Sequence, residues 1–197
     1  MKKKIVFLVI LIIIIILVVL FLWRLVLINK IKDLNGESIK ISNLYFIEED
    51  GSSITEFWKK DNIIKENTKL MLGNNNLTFW NNFDTEESYT LFNNIKKYSM
   101  GTNGMIYEPQ ANNVEILDSN NSILLALNPM FKIKTEQYDG KICYYIKLGQ
   151  DEVYIDKEYG ITLYQKSENN ELKVKYSINS VKDEDVAKPD LTNYTNN

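Results

Sequence analysis

The apolar residues at the start of the chain form one uninterrupted run. Residues 5–23 are 19 consecutive apolar residues, and as an α-helix they would be roughly 28 Å long, close to the ~30 Å hydrocarbon core of a bilayer. The run is longer than the about 7–15 apolar residues of a cleavable signal peptide, and no small-residue cleavage site follows it. We therefore predict that residues 1–29 form an uncleaved signal-anchor helix, which contacts the bilayer through residues 5–28.

Charged and aromatic residues flank this run. Lys2, Lys3 and Lys4 precede it, and Trp23 and Arg24 close it. We expect the Trp23 ring to lie among the lipid headgroups and the Arg24 guanidinium to extend towards water. Lysines also follow the helix, so the positive-inside rule gives nearly equal counts for the two orientations. Because large domains are translocated largely regardless of charge, we predict a cytoplasmic N-terminus and an extracytoplasmic domain, single-pass in the cell membrane.

Beyond the predicted helix the apolar residues alternate with polar ones. Residues 30–42 are polar and charged, and we interpret them as a juxtamembrane stalk. From residue 43 to about residue 194 the dominant pattern is an apolar residue at every second position, which is typical of half-buried antiparallel strands. The tail at 182–191, which contains the acidic cluster at 183–185, is polar and expected to be irregular. In the C-terminal half, Asp139-Gly140 separates two such segments, and this pair favours a tight hairpin because it tolerates positive φ. Segments at 153–155, 161–163 and 172–178 complete a predicted meander of four or five strands with one face towards water.

The first half of this domain has a weaker alternating pattern. Strands are predicted at 44–48 and 54–59 around Asp50-Gly51, and at 63–64, 76–83 and 88–92. Between the two halves the spacing becomes helical, at Val114, Leu117, Leu124 and Leu127. Ser122 is a candidate N-cap for this stretch and Pro129 an end signal. We therefore predict a mainly β (α+β) domain in which one or two short helices within residues 113–128 cover part of the sheet.

Composition excludes several kinds of chemistry. The chain has no histidine and one cysteine, Cys143, so histidine catalysis, Cys/His metal sites and intrachain disulfides are excluded. After residue 29 there are 19 basic and 26 acidic residues, so phosphate backbones are repelled and nucleic acid is not an expected partner. Carboxylates group only in predicted turns or polar stretches, and no serine-nucleophile motif or calcium loop occurs. We predict a non-enzymatic domain with no cofactor and no metal, in which Cys143 is an inert packing residue.

Aromatic residues in the predicted strands leave two interpretations open. They are either an ordinary sheet core with cross-strand aromatic pairs, or the lining of a cavity for an acyl chain or other lipophilic ligand. For the second interpretation, the predicted lining residues are Trp58, Phe79, Trp80, Tyr144, Ile146 and Tyr154.

Three segments resemble a known bacterial superfamily. EVYIDKEYGI at 152–161 resembles the YIDKETGL hairpin of the LolA/LppX/RseB (outer-membrane lipoprotein carrier-like) superfamily, with Tyr159 in place of the usual threonine. WKKDN at 58–62, with Tyr89 and Lys97-Tyr98, is similar to the N-terminal strands of these proteins, and DVAKPDL at 185–191 to their closing segment. The resemblance covers residues 43–194, and with its predicted anchor helix the chain resembles a membrane-anchored bacterial member of this superfamily. It implies a curved, open antiparallel half-barrel with covering helices and an apolar cavity that holds lipid acyl chains.

Two functions follow from these expectations. The first is a membrane-tethered extracytoplasmic domain that binds a lipid or another lipophilic ligand at the bacterial cell envelope. The second is an envelope sensor or interaction domain that contacts a protein partner and has no ligand cavity. A cavity of several hundred Å³ would favour the first function, and a sheet packed with side chains would favour the second.

Overall fold

One long helix and one extended sheet make up the protein in the computed structural model, which describes residues 2–34, 37–73, 75–101, 117 and 120–197. Helix α1 spans Lys2–Asp33, a short 3₁₀ helix spans Glu37–Lys40, and helix α2 spans Ser122–Leu127. The strands are β1 (Asn43–Glu49), β2 (Ser53–Lys60), β3 (Ile63–Leu70), β4 (Asn76–Asn82), β5 (Glu87–Phe92), β6 (Lys97–Gly101), β7 (Lys132–Tyr138), β8 (Lys141–Leu148), β9 (Asp151–Asp156), β10 (Thr162–Lys166), β11 (Glu171–Ile178) and β12 (Thr195–Asn196). The protein is therefore mainly β, as predicted, with an N-terminal apolar helix and one short helix.

Helix α1 is long and apolar enough to cross a membrane. It contains no glycine or proline, so nothing in its sequence interrupts the backbone hydrogen bonds. The helix continues past residue 29 to Asp33, where a stalk was expected, and its last turns bury Leu27, Ile28 and Ile31 against the domain. The polar residues between these three positions lie on the other side of the helix. Helix α1 and the domain thus share a core.

The strands form two meanders that meet through one long-range pair. The order across the sheet is β12-β6-β5-β4-β3-β2-β1-β11-β10-β9-β8-β7, so the first meander is β1–β6 and the second is β7–β11. Strand β1 pairs antiparallel with β11, which joins the halves, and β12 adds parallel to β6. The five-stranded C-terminal meander is confirmed. The sheet is open, with β7 and β12 at its edges; the half-barrel curvature stays a prediction.

The predicted turns set the register of the C-terminal meander. Asp139 (φ 47°) and Gly140 (φ 78°) both have positive φ, and this two-residue turn places Tyr138 opposite Lys141. The turn between β9 and β10 is held by Asp156, whose Oδ1 accepts hydrogen bonds from the backbone N–H groups of Glu158 and Tyr159 (2.8 and 2.9 Å). Both hairpins were expected from the sequence, and both are confirmed.

Among the residues that the structure describes, buried side chains group into three clusters. Cluster 1 joins the end of α1 and helix α2 to strands β7–β9: Leu27, Ile28, Ile31, Leu117, Leu125, Ala126, Phe131, Ile133, Tyr144, Ile146, Val153 and Ile155. Cluster 2 joins the two meanders: Leu44, Phe46, Phe57, Cys143, Ile161, Leu163 and Val174. Cluster 3 lies in the first meander: Trp80, Tyr89 and Leu91. Strand β8 contributes to clusters 1 and 2 and buries Cys143 through Ile146 without alternation, so the prediction of one water-facing side does not hold for this strand.

Some local features differ from the expectations. The N-cap of α2 is Asn121 and not Ser122, which is the first helical residue. The Asn121 side chain accepts hydrogen bonds from the backbone N–H groups of Ile123 and Leu124. The helix ends before Pro129, as predicted, but it buries Leu125 and Ala126 instead of Leu124 and Leu127. Val114 lies outside the described residues.

The C-terminal tail is irregular, as expected, yet it is packed onto the sheet. The indole Nε1–H of buried Trp80 donates to the carbonyl of Val186 (2.8 Å), and the Val186 side chain is itself buried. Leu191 and Tyr194 pack against cluster 3. The tail therefore completes the core of the first meander, where the sequence indicated only a polar segment.

Candidate functional site

Arg24 adds hydrogen bonds to the apolar junction between α1 and the domain. The Arg24 guanidinium donates to the carbonyl oxygens of Ala126 (3.0 Å), Asn128 (3.1 Å) and Phe131 (2.9 Å). These carbonyls lie at and after the C-terminal end of α2, where backbone oxygens lack partners within the helix. The sequence placed this guanidinium towards water; the structure turns it onto the domain, because its five donors in a planar fork can satisfy several oxygens together.

Trp23 lies beside this junction without taking part in it. Its side chain is exposed, whereas Phe21 and Leu25 pack against cluster 1. The domain therefore contacts one side of α1 around Arg24, and Trp23 faces away from that contact. This position is compatible with the predicted place of the ring among lipid headgroups.

A row of tyrosines crosses the second meander. The register places Lys134 opposite Tyr145, Tyr145 opposite Tyr154, Tyr154 opposite Tyr164, and Tyr164 opposite Lys173. Successive side chains of a strand point to opposite faces. Because the neighbours Tyr144 and Ile146 on β8 and Val153 and Ile155 on β9 belong to cluster 1, the row faces away from α1 and α2. We call these five residues the tyrosine row.

The rings of the row contact one another directly. The centroids of Tyr145 and Tyr154 are 4.9 Å apart, and those of Tyr154 and Tyr164 are 6.0 Å apart. Tyr138, at the end of β7, stacks on Tyr154 at 4.5 Å. Burial, followed by nearby Glu136 and Glu152, raises the pKa of Tyr154 to about 12. The phenol therefore keeps its proton at physiological pH and can donate a hydrogen bond.

Charged side chains surround these rings. The Lys134 Nζ lies 4.9 Å from the centroid of the Tyr145 ring and 2.7 Å from Glu136 Oε2. Lys173 pairs with Glu171 at 3.1 Å, and Lys147 pairs with Glu152 at 3.3 Å. Tyr138, Tyr154 and Tyr164 are half-buried, whereas Tyr145 is buried, with 8% of its surface exposed. An aromatic centre with a rim of paired charges is the usual composition of a protein–protein contact surface.

The residues predicted to line a ligand cavity lie in different parts of the protein. Tyr144 and Ile146 belong to cluster 1, Trp80 to cluster 3, and Tyr154 packs at the margin of cluster 2. Trp58 is half-buried on β2, with its ring 5.6 Å from that of Tyr45 and Lys65 Nζ 5.3 Å from its centroid. Phe79 is half-buried next to Trp80 on β4 and points to the other face. The structure therefore brings only Tyr144 and Ile146 together.

A small pocket lies over cluster 2. It has a volume of about 20 Å³ and is lined by Leu44, Phe46, Glu48, Ile161, Thr162, Leu172 and Val174. This volume accommodates about one water molecule, whereas sites for small-molecule ligands have volumes of roughly 300–1,000 Å³. The pocket is therefore too small for an acyl chain.

Acidic side chains do not converge in the part of the chain that the structure describes: no group of three or more aspartate, glutamate or cysteine residues there could hold a metal ion. Asp183, in the tail cluster that the sequence singled out, pairs with Lys60 at 2.5 Å. Asp185 accepts a hydrogen bond from the backbone N–H of Lys182 at 2.8 Å. The first of these contacts joins the tail to strand β2, and the second lies within the tail.

Sequence reasoning assigned only Tyr154 of the tyrosine row to a site. The available signal was the two-residue turn at Asp139-Gly140, which pairs Tyr138 with Lys141 and therefore Lys134 with Tyr145. The register could not be extended to Tyr164 from the sequence, because a β-bulge lies between Thr162 and Tyr164. Because a bulge adds one residue to one strand, the alternation of side chains between the two faces is offset beyond it.

Comparison with known proteins gives a fold and nothing more specific. No family model and no curated protein matches this chain. The chain is similar in structure to an uncharacterized conserved protein from Thermus thermophilus, whose crystal structure aligns with a TM-score of 0.50 at 7% sequence identity. The alignment covers 86% of this chain and 98% of that one. The likeness concerns the fold alone and does not test the resemblance to the LolA/LppX/RseB superfamily.

Proposed function

We propose that this protein is a non-enzymatic interaction domain tethered to the bacterial cell membrane, which contacts a protein partner through the tyrosine row. In this proposal α1 spans the membrane, the N-terminus is cytoplasmic and the sheet is extracytoplasmic. The observation that carries it is the continuous row Lys134–Tyr145–Tyr154–Tyr164–Lys173 across five strands. Tyrosine is enriched among the residues that dominate binding energy at protein interfaces, and flanking lysines supply orientation and steering.

A lipid-binding function has weaker support. Its predicted lining residues are divided among separate clusters, and the pocket over cluster 2 is close to the size of one water molecule. Half-barrel curvature and kinship with the LolA/LppX/RseB superfamily remain part of the proposal. They are supported by the five-stranded meander and by the β9–β10 hairpin, which includes the segment of resemblance.

Site-specific photo-crosslinking in the native membrane tests the proposal. A photoreactive phenylalanine replaces Tyr164 in the full chain, and the same replacement at half-buried Tyr98 on β6 is the control. We expect a crosslink to a protein of one defined mass at Tyr164 and not at Tyr98. The charge reversals Lys134→Glu and Lys173→Glu should abolish that crosslink while the circular dichroism spectrum is unchanged. A lipid adduct on the Tyr164 peptide, or equal crosslinking at Tyr98, would contradict the proposed surface.

A further inference from the structure

Helix α2 exposes more apolar surface than it buries. Leu125 and Ala126 are each 3% exposed and pack on cluster 1. On the other side, the exposed fractions are 54% for Ile123, 68% for Leu124, 61% for Leu127 and 67% for Met130. Four large apolar side chains within eight residues thus form an exposed patch, which we call the α2 patch. Contiguous exposed apolar surface of this kind marks contact with a membrane or another molecule.

The contacts of Arg24 place the α2 patch at one level along α1. Its guanidinium bonds the carbonyls of Ala126, Asn128 and Phe131, so the C-terminal end of α2 lies beside residue 24 of the helix. The apolar run 5–23 measures roughly 28 Å as a helix, which fills a hydrocarbon core of ~30 Å. If α1 spans the bilayer, Arg24 and the end of α2 therefore lie where the hydrocarbon meets the headgroups.

Packing extends the domain three residues, about 4.5 Å, further towards the bilayer. Phe21, within the apolar run and three residues before Arg24, packs against cluster 1 together with Leu25. Cluster 1 also contains the two buried residues of α2. The domain surface beside α1 thus overlaps the end of the predicted span and does not stand above it. A patch at this level is within reach of acyl chains.

The charge around the α2 patch matches a lipid surface. Residues 120–135 contain no acidic residue, and Lys132 follows directly on Phe131 with an exposed side chain. On α1, Lys30 is exposed about 9 Å further along the axis than Arg24. Lysines beside an apolar patch are attracted to anionic headgroups, as in helices that lie in the membrane interface.

We propose that the α2 patch inserts into the boundary between headgroups and acyl chains, in the same leaflet as the end of α1. The domain is then held to the bilayer at two points, and Arg24 links them as a positioning residue. Since α1 alone would permit rotation about its axis, the second contact fixes which way the domain faces. This inference requires that α1 spans a membrane, but it does not depend on the tyrosine row or on any partner of that surface.

Depth-dependent quenching tests this inference on the full chain. Leu124→Cys and Leu127→Cys variants are labelled with the polarity-sensitive fluorophore NBD and reconstituted at one chain per lipid nanodisc, which excludes a second copy. The discs contain phosphatidylcholine and phosphatidylglycerol, with or without a doxyl-labelled phospholipid. Buried Cys143 need not be replaced. The matched control is Leu72→Cys, at a leucine that is 85% exposed in the segment between β3 and β4.

We expect NBD at residues 124 and 127 to emit at shorter wavelength than at residue 72 and to lose most of its fluorescence to the doxyl lipid. The label at residue 72 should keep the emission of a water-exposed group and lose little. Equal quenching at all three positions, or water-like emission at residues 124 and 127, would overturn the inference. Met130→Cys provides a further exposed position, so the conclusion does not depend on the folding of one variant.

Discussion

At the scale of single residues, Cys143 illustrates how burial determines reactivity. Its side chain is fully buried, and burial, followed by the nearby Asp156 charge, raises the pKa of the thiol to about 11. The thiolate is the nucleophile, and with this pKa only about one thousandth of the group is ionised at pH 8. We expect no alkylation of native protein by iodoacetamide at pH 8 over hours, and complete alkylation in guanidinium chloride. Labelling of native Cys143 as fast as an introduced Leu72→Cys would contradict this.

A second residue-scale prediction concerns the buried carboxyl group of Glu66. Burial raises its pKa, although the Thr68 hydroxyl donates a hydrogen bond to Oε1 (2.7 Å) and opposes that shift. With a folded-state pKa above the unfolded value of about 4.3, the native state binds more protons, so stability falls as pH rises through this interval. Ionised Glu66 is therefore destabilising at neutral pH.

Replacement by the neutral isostere isolates this effect. We expect Glu66→Gln to raise the free energy of unfolding at pH 7 by on the order of 1 kcal/mol, and this gain should vanish towards pH 4. Denaturant titrations of the full chain in micelles at both pH values measure it. The exposed control Glu168→Gln should show neither effect. A Glu66→Gln gain that is the same at pH 4 and pH 7 would exclude titration of this carboxyl as the cause.

At the scale of elements, the turn at Gly140 makes a stability contribution that does not depend on packing. Gly140 has φ +78°, and a Cβ built there meets no atom within 4 Å. Replacement by alanine therefore costs only the left-handed backbone conformation, about 1–2 kcal/mol. Gly140→Ala should lower the denaturation midpoint, and Gly140→Asn should lower it less because asparagine tolerates this conformation. Equal losses for the two variants would argue against a backbone origin.

Elements were predictable from the sequence where their signals are local. The hairpins at Asp50-Gly51 and Asp139-Gly140 follow from turn chemistry and two-residue alternation. Strand β12 has two residues and pairs with β6, 98 positions earlier, so no local pattern could indicate it. Helix α2 was placed correctly, but its buried face was not. Leu125 and Ala126 pack against α1, and Arg24 bonds the end of α2, across about 100 residues of sequence, so helical periodicity alone does not indicate the buried face.

The candidate surfaces, too, were predictable where the signal is local and not where it depends on long-range contacts. Trp23 and Arg24 were indicated by their place at the end of an apolar run, yet the contact of Arg24 with α2 depends on tertiary packing. Tyr154 was singled out as an aromatic strand residue, whereas its neighbours Tyr145 and Tyr164 became part of one row only through inter-strand register. To predict which side chains share a sheet face, one must know which strands are adjacent and in what register. The bulge in β10 changes the register, so the pairing of Tyr154 with Tyr164 could not be predicted from the sequence.

At the scale of the whole molecule, the two faces of the second meander make different contacts. Alternation along β8 and β9 sends Tyr144, Ile146, Val153 and Ile155 to α1 and α2, and sends Tyr145 and Tyr154 to the opposite side. A substitution on the tyrosine face is therefore expected to leave the contact with α1 intact. The two proposals, a partner surface and a second membrane contact, can thus be tested by independent variants of one chain.

The core shared by α1 and the domain predicts how far the N-terminus can be shortened without unfolding the domain. Leu27, Ile28 and Ile31 of α1 are buried in cluster 1, and burial of such side chains contributes about 1.5–3 kcal/mol each. Their sum is comparable to the roughly 5–15 kcal/mol that stabilises a typical domain. We expect fragment 21–197 to unfold cooperatively in urea by far-ultraviolet circular dichroism. Fragment 34–197 should bind the dye ANS and unfold without a clear transition.

The control separates loss of the core from loss of apolar residues in general. The substitution Val26→Asp in fragment 21–197 alters an exposed position of the same helix. This variant should unfold at nearly the same urea concentration as the unsubstituted fragment. Fragment 21–197 with Ile28→Ala, at a fully buried position, should lose about 2–5 kcal/mol. If fragment 34–197 unfolded with the same midpoint as fragment 21–197, α1 would be a tether only. The domain would then have its core without the anchor, and a contact of α2 with the bilayer would no longer be enforced by the helix.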